Sequence, residues 1–147
     1  VFNQPEQPIS QKNGTIQCWF AGEFYRHNIP DYAAEWNSLS DPELAILLYD
    51  LRNEAAFSQF EGSFQCLILD RTKGLIFIIN DRWGTYPIHF HSTPANFQFA
   101  PEFKAIINSR GFKKKINFDA LAEYSRMQRV LGDKSFFEDI NRLPYGS

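Results

Sequence analysis

Cysteine is nearly absent from this chain: Cys18 and Cys66 are the two among 147 residues, and methionine occurs once. Neither cysteine belongs to a CxxC pair or to a Cys/His ligand spacing, which excludes a disulfide scaffold and a zinc ribbon. Each lies inside an apolar strand-like run and reads as a buried free thiol, fitting a reducing, cytoplasmic compartment. No apolar run approaches the roughly 20 residues that span a bilayer, and the polar opening "VFNQPEQPIS" lacks the apolar segment of a signal peptide. Excess charge of one sign is missing as well. With 15 Lys and Arg against 17 Asp and Glu, the net charge is −2, so there is no general electrostatic reason to bind nucleic acid or an anionic membrane. The chain opens on Val1 rather than Met, which leads us to expect a processed product or an excised piece.

What is present is apolar and aromatic. Hydrophobic residues make up 44% and aromatics 16%, with 15 Phe, a composition of globular rather than disordered chains. A chain of this length buries roughly 70% of the surface exposed when unfolded. One domain spanning 1–147 is expected, since neither an internal repeat nor a linker long enough to divide it is visible.

The periodicity changes along the chain. Thr15 to Tyr25 reads as a strand following the turn signal "KNG". In "SDPELAILLYDLRNEAAFSQF", Ser40 and Glu43 have capping-box spacing and Pro42 lies in the first turn, while Leu44, Leu47, Leu48 and Leu51 repeat at i, i+3, i+4, i+7. That is an amphipathic helix, interrupted at Asn53, with "EAAFSQF" as a second short helix. From Gly62, "SFQCLILD" and "LIFIIND" form a hairpin around "RTKG", and both runs are so continuously apolar that they read as covered on both faces. A second hairpin joins "PIHFH" to "NFQFA" around "STPA". Pro101 then opens a helix closing at Gly111, and the last helix runs from Phe118 to Val130. Strand runs and helix runs are separated, which favours an α+β architecture of antiparallel sheets over a parallel α/β fold.

Other features carry less. His89 and His91 share one face of a strand, a spacing metal sites use, but without a third ligand they read as partly exposed sheet residues, and no metal is expected. Lys113 to Lys115 form a short basic run that reads as a solvated loop.

The stretch "WFAGEFY", Trp19 to Tyr25, raises the functional question. A glycine in a strand marks a bulge, a turn or a place where another group approaches the main chain, and Glu23 beside it could hold a cation. "FAGEFY" resembles F-N-G-E-I-Y of the class II glutamine amidotransferase domain of asparagine synthetase-like proteins. Five further segments are similar in the same order. "SDPELAILLYD" resembles S-D-x-E-V with its helix, "FEGSFQCLILD" resembles L-x-G-M-F-A-F-x-x-x-D, and "NDRWGTYPIHF" resembles R-D-R-F-G-I-K-P-L-Y-Y. "FAPEFKAI" and "FFEDINRLPYGS" complete the series, and together they span essentially the whole chain.

The resemblance implies an N-terminal-nucleophile (Ntn) hydrolase fold, a four-layer αββα sandwich of antiparallel sheets, here incomplete at the N-terminus. It implies that a terminal cysteine attacks the side-chain amide of glutamine and releases ammonia, with the free α-amino group as base. That ammonia amidates an activated aspartate in a synthetase domain, where ATP and Mg belong; no cofactor is implied in this domain. Carried over residue by residue, Gly22 matches the glycine whose N–H serves the oxyanion hole, while Glu23 and Asp41 match the acids holding the substrate's ammonium group. Asp41 could instead cap the helix. Asp81 and Arg82 match a segment that supports the site structurally.

Two departures matter. Ala21 replaces the family's oxyanion-hole Asn, and losing one such donor costs on the order of 10²–10³ in turnover. The terminal Cys and the H-R-G-P-D segment have no match in this chain, and Cys18, turned to the opposite strand face from Ala21, and Cys66 are not credible substitutes. Without a nucleophile this chain is expected to be inert alone. Two readings follow: the glutaminase portion of an asparagine synthetase-like amidotransferase, or a degenerate domain binding an amino acid or a protein partner without chemistry. Missing strands would leave an unpaired edge or exposed apolar sheet surface, so self-association is expected.

Overall fold

The computed structural model describes residues 5–147; the reading attached to Val1 lies outside them. It is a mixed α+β structure with two antiparallel sheets, as the segregated periodicities predict. Contacts group the chain into two compact units. One runs up to Tyr86 and includes Tyr145–Ser147; the other is Pro87–Pro144.

The first unit holds a four-stranded sheet in the order β1-β2-β3-β4, formed by β1 (Ile9–Gln11), β2 (Ile16–Phe24), β3 (Gly62–Asp70) and β4 (Leu75–Asn80). Asp70 pairs with Leu75, so the turn falls on "RTKG" as read from the sequence. β2 alternates: Ile16, Cys18 and Phe20 are buried, while Trp19 and Ala21 on the other face are half-buried. Helix α1 (Asp41–Arg52) packs its buried residues into the same core as β2 and β3. Phe20, Phe24, Phe60 and Phe64 fill that core with ring centroids 4.7–6.0 Å apart, an aromatic cluster in edge and offset contacts.

Two expectations about this unit are corrected. The buried stripe of α1 runs through Pro42, Leu44, Ala45, Ile46, Leu48 and Tyr49, whereas Leu51 is 58% exposed. This rotation buries Tyr49, whose hydroxyl donates to the buried carboxylate of Asp70 at 2.8 Å. β3 and β4 are not both covered on two faces: β3 buries one face and half-buries the other, and Leu75 and Ile76 at the start of β4 are exposed. Residues Asn53–Gln59 form a 3₁₀ helix, the second short helix read from the sequence.

The second unit carries a three-stranded sheet, order β6-β5-β7, of β5 (His89–Thr93), β6 (Asn96–Ala100) and β7 (Asn141–Arg142). Helix α2 spans Phe103–Ile107, far short of Gly111, and α3 spans Phe118–Met127, ended by Gln128 in a left-handed conformation. Ala100, Ile106 and Ile140 centre this unit's core. His89 and His91 are half-buried, as expected of sheet residues, and their Nδ1 atoms lie 3.1 and 2.8 Å from the carbonyls of Pro101 and Asp139. Among the described residues no helix is long and apolar enough to cross a membrane.

Candidate functional site

Gly22 takes a backbone φ of +111°, a conformation side chains rarely adopt, and pairs with Phe64 of β3. A Cβ at this position would stand 2.7 Å from the Phe64 Cα and closer still to the Ser63 carbonyl. The group that approaches this backbone is therefore the neighbouring strand, and the sheet itself requires glycine here. Its neighbour Glu23 is exposed, with no hydrogen bond or ion pair to its side chain among the described residues. Ala21 pairs with Gln65 and faces away from Cys18 and Phe20, so it brings no polar group to the end of β2.

Asp41 arrives from sequence-distant chain. The capping box anticipated from the sequence forms: the Ser40 N–H and hydroxyl both donate to Glu43 Oε2, at 2.7 and 2.5 Å. These bonds, the hydroxyl's first, hold the Glu43 carboxyl below its ordinary range. With Ser40 and Glu43 closing the helix start, Asp41 reaches back to β2, and its Oδ2 accepts the Phe24 N–H at 3.2 Å. The start of α1 is thereby fastened one residue beyond Glu23 and two beyond Gly22. The carboxylate serves this bond rather than the cap.

The sequence did not point to Arg26. Its guanidinium donates through one terminal nitrogen to Asp41 Oδ1 at 2.6 Å and to the Leu39 carbonyl at 2.7 Å, and through the other to the Trp36 carbonyl at 3.0 Å and the Tyr32 hydroxyl at 3.3 Å. Burial pulls its pKa down, but the hydrogen bonds to Tyr32 and Asp41 outweigh it, and the net direction is upward. Arg26 so ties residues 32–41 to the end of β2. No local signal could reveal this, because its partners lie 6 to 15 residues away.

The supporting segment behaves as the resemblance implied. Asp81 is buried and accepts the N–H groups of Phe64 (3.3 Å), Trp83 (2.8 Å) and Thr85 (3.0 Å), holding the turn after β4 against β3. Arg82 pairs with Glu61 at 2.7 Å, and the Glu61 carbonyl accepts the Tyr25 N–H at 2.8 Å.

The two cysteines are buried neighbours on β2 and β3, with sulfurs 3.6 Å apart. Burial, reinforced by the Cys18 contact, pushes the Cys66 thiol well up, and both sulfurs are buried, without access for nucleophilic work. In the second unit an open cleft of about 410 Å³ lies between Phe97–Ala100 and α2, but its lining includes no acid or base. The Ser109 hydroxyl there already donates to Gln98 at 2.8 Å.

Comparison with known proteins gives the geometry its context. The chain is 24% identical over 149 residues to Asparagine synthetase (glutamine-hydrolyzing) 2 of Bacillus subtilis, covering 96% of this chain and 20% of that protein. It is 25% identical over 146 residues to Asparagine synthetase (glutamine-hydrolyzing) 1 of the same organism, covering 96% and 23%. A Methanocaldococcus jannaschii sequence carrying the asparagine synthetase name is 29% identical over 106 residues, 71% of this chain and 21% of that protein. The chain thus spans about a fifth of the length of these relatives. Over its whole length, residues 1–147, it matches the glutamine amidotransferase domain, and it belongs to that family.

Proposed function

We propose that this chain is the glutaminase portion of an asparagine synthetase-like amidotransferase, releasing ammonia from glutamine for ATP-dependent amidation of aspartate in a synthetase domain. Its fold in this reading is the four-layer αββα Ntn-hydrolase sandwich. The observation that carries the reading is the bond from the Phe24 N–H to Asp41, which fastens the start of α1 beside Gly22 and Glu23. In this assignment the Gly22 N–H donates to the oxyanion that develops when a cysteine thiolate attacks the side-chain amide, and Glu23 and Asp41 hold the substrate's ammonium group. The thiolate is neither Cys18 nor Cys66, which are buried. ATP and Mg act in the synthetase portion and not here. Exposed Leu75 and Ile76 on β4 and Phe97 and Phe99 on β6 favour self-association, and a cytoplasmic setting belongs to the same proposal.

The test is glutamate release from glutamine by the full-length protein. Slow release is expected, and Ala21→Asn, which restores an amide donor, should raise turnover by on the order of 10²–10³. Absence of glutamate from both proteins would refute the assignment. A second reading, a non-catalytic domain that binds an amino acid or a protein partner, is favoured by Ala21 and by the Arg26–Asp41 ion pair; it predicts no gain from Ala21→Asn.

A further inference from the structure

All four terminal N–H donors of Arg26 are used inside the protein, on Asp41, Leu39, Trp36 and Tyr32. The guanidinium therefore has no terminal donor left for a substrate carboxylate. Asp41 is equally committed, with one oxygen on Arg26 and the other on the Phe24 N–H, and its side chain is 16% exposed. Glu23, by contrast, is exposed and has no cation beside it among the described residues. The two acids at the end of β2 are thus electrostatically unlike: one is neutralised from within and the other is not.

We propose that Arg26 is an internal competitor for the ammonium group of the amino-acid substrate, setting the affinity of the site by occupying Asp41. The inference rests on the reading of Asp41 as an ammonium-binding acid. An incoming ammonium would share the Asp41 carboxylate with a guanidinium already 2.6 Å away, and the repulsion between two cations on one carboxylate opposes binding. At an effective dielectric near 20, a like charge about 5 Å away weakens binding by on the order of 10²-fold. Glutamine is consequently held mainly through Glu23, and its affinity is low until Arg26 leaves Asp41. An arginine at this position distinguishes a site tuned for weak amino-acid capture from one in which both acids are available.

Calorimetric titration of L-glutamine into the full-length protein tests this, with Arg26→Gln, Arg26→Met, Asp41→Asn and the double variant Arg26→Gln/Asp41→Asn alongside the unaltered chain. Both neutral replacements of Arg26 should tighten glutamine binding by roughly 10- to 100-fold, and Asp41→Asn should reduce that gain in the double variant, leaving only the relief of cation–cation repulsion. If Asp41→Asn weakens binding in the unaltered chain but the Arg26 variants bind no more tightly, Asp41 is a ligand and the competition is refuted. If Asp41→Asn changes nothing in either background, the reading of Asp41 fails and the inference with it. Circular dichroism checks folding: Arg26→Met keeps the aliphatic stem where Arg26→Gln shortens it, and failure of both to fold would make Arg26 a structural strut and overturn the proposal.

Discussion

Gly22→Ala places a methyl group where β2 and β3 leave no space. The new Cβ would meet the Phe64 Cα at 2.7 Å and the Ser63 carbonyl closer still, and both are backbone, which cannot swing aside as a flexible side chain would. Two costs combine. Holding alanine at a φ of +111° costs about 1–3 kcal/mol of backbone strain, and forcing the strands apart costs about 1–3 kcal/mol more. The smaller conformational freedom of the unfolded alanine chain returns only about 0.4–1 kcal/mol. A net loss of roughly 1–5.5 kcal/mol follows, a substantial share of the 5–15 kcal/mol typical of a domain. Gly74 supplies the control, since its φ is +67° but a Cβ there would meet nothing within 4 Å. Gly74→Ala should therefore cost only the strain less the same unfolded-state return, about 0–2.5 kcal/mol. Urea unfolding of the two variants measures the difference. Equal midpoints would show that β3 does not crowd Gly22 and would refute the steric account of why β2 carries a glycine before Glu23.

Two further predictions concern the elements that place the site. Ser40→Ala removes the hydroxyl of the capping box and should lower stability by about 0.5–2 kcal/mol in chemical denaturation; because it loosens the start of α1, it should also weaken glutamine binding. Asp70 is drawn down to about 2: burial works to raise it, but the hydroxyls of Thr72 and Tyr49 and the backbone N–H groups of Lys73 and Thr72 outweigh that effect. Its folded value is depressed, so its contribution is present above the ordinary 3.8 and is lost as pH falls from there toward about 2. An acid titration of stability should show this loss in the parent and a flatter curve in Asp70→Asn.

The legible parts of the fold are those written locally. The capping box at Ser40 and Glu43, the "RTKG" turn and the alternation of Cys18, Trp19, Phe20 and Ala21 each depend on residues a few positions apart, and each appears where the sequence placed it. The rotation of α1 was not legible, because Asp70, the partner of the Tyr49 hydroxyl, lies 21 residues away on β3. The exposure of Leu75 and Ile76 was hidden by composition: an apolar run does not say which strand stands at a sheet edge, and β4 does so among the described residues. In the candidate site, Gly22, Glu23 and Asp41 were named from the resemblance, and the Phe24 N–H bond ties Asp41 to the strand residue that follows Glu23. Arg26 escaped notice because its meaning lies in four acceptors scattered over residues 32–41, which only the folded chain gathers.

The central claim, that the end of β2 and the start of α1 hold the ammonium group of glutamine, is tested most directly by comparing L-glutamine with glutaramic acid, the same molecule without its α-amino group. Competition binding to the full-length protein should favour glutamine by at least about tenfold, the value of a modest charge-assisted hydrogen bond, and Glu23→Gln should erase that preference. Equal binding of the two compounds, or a preference that survives loss of the Glu23 charge, would contradict the account.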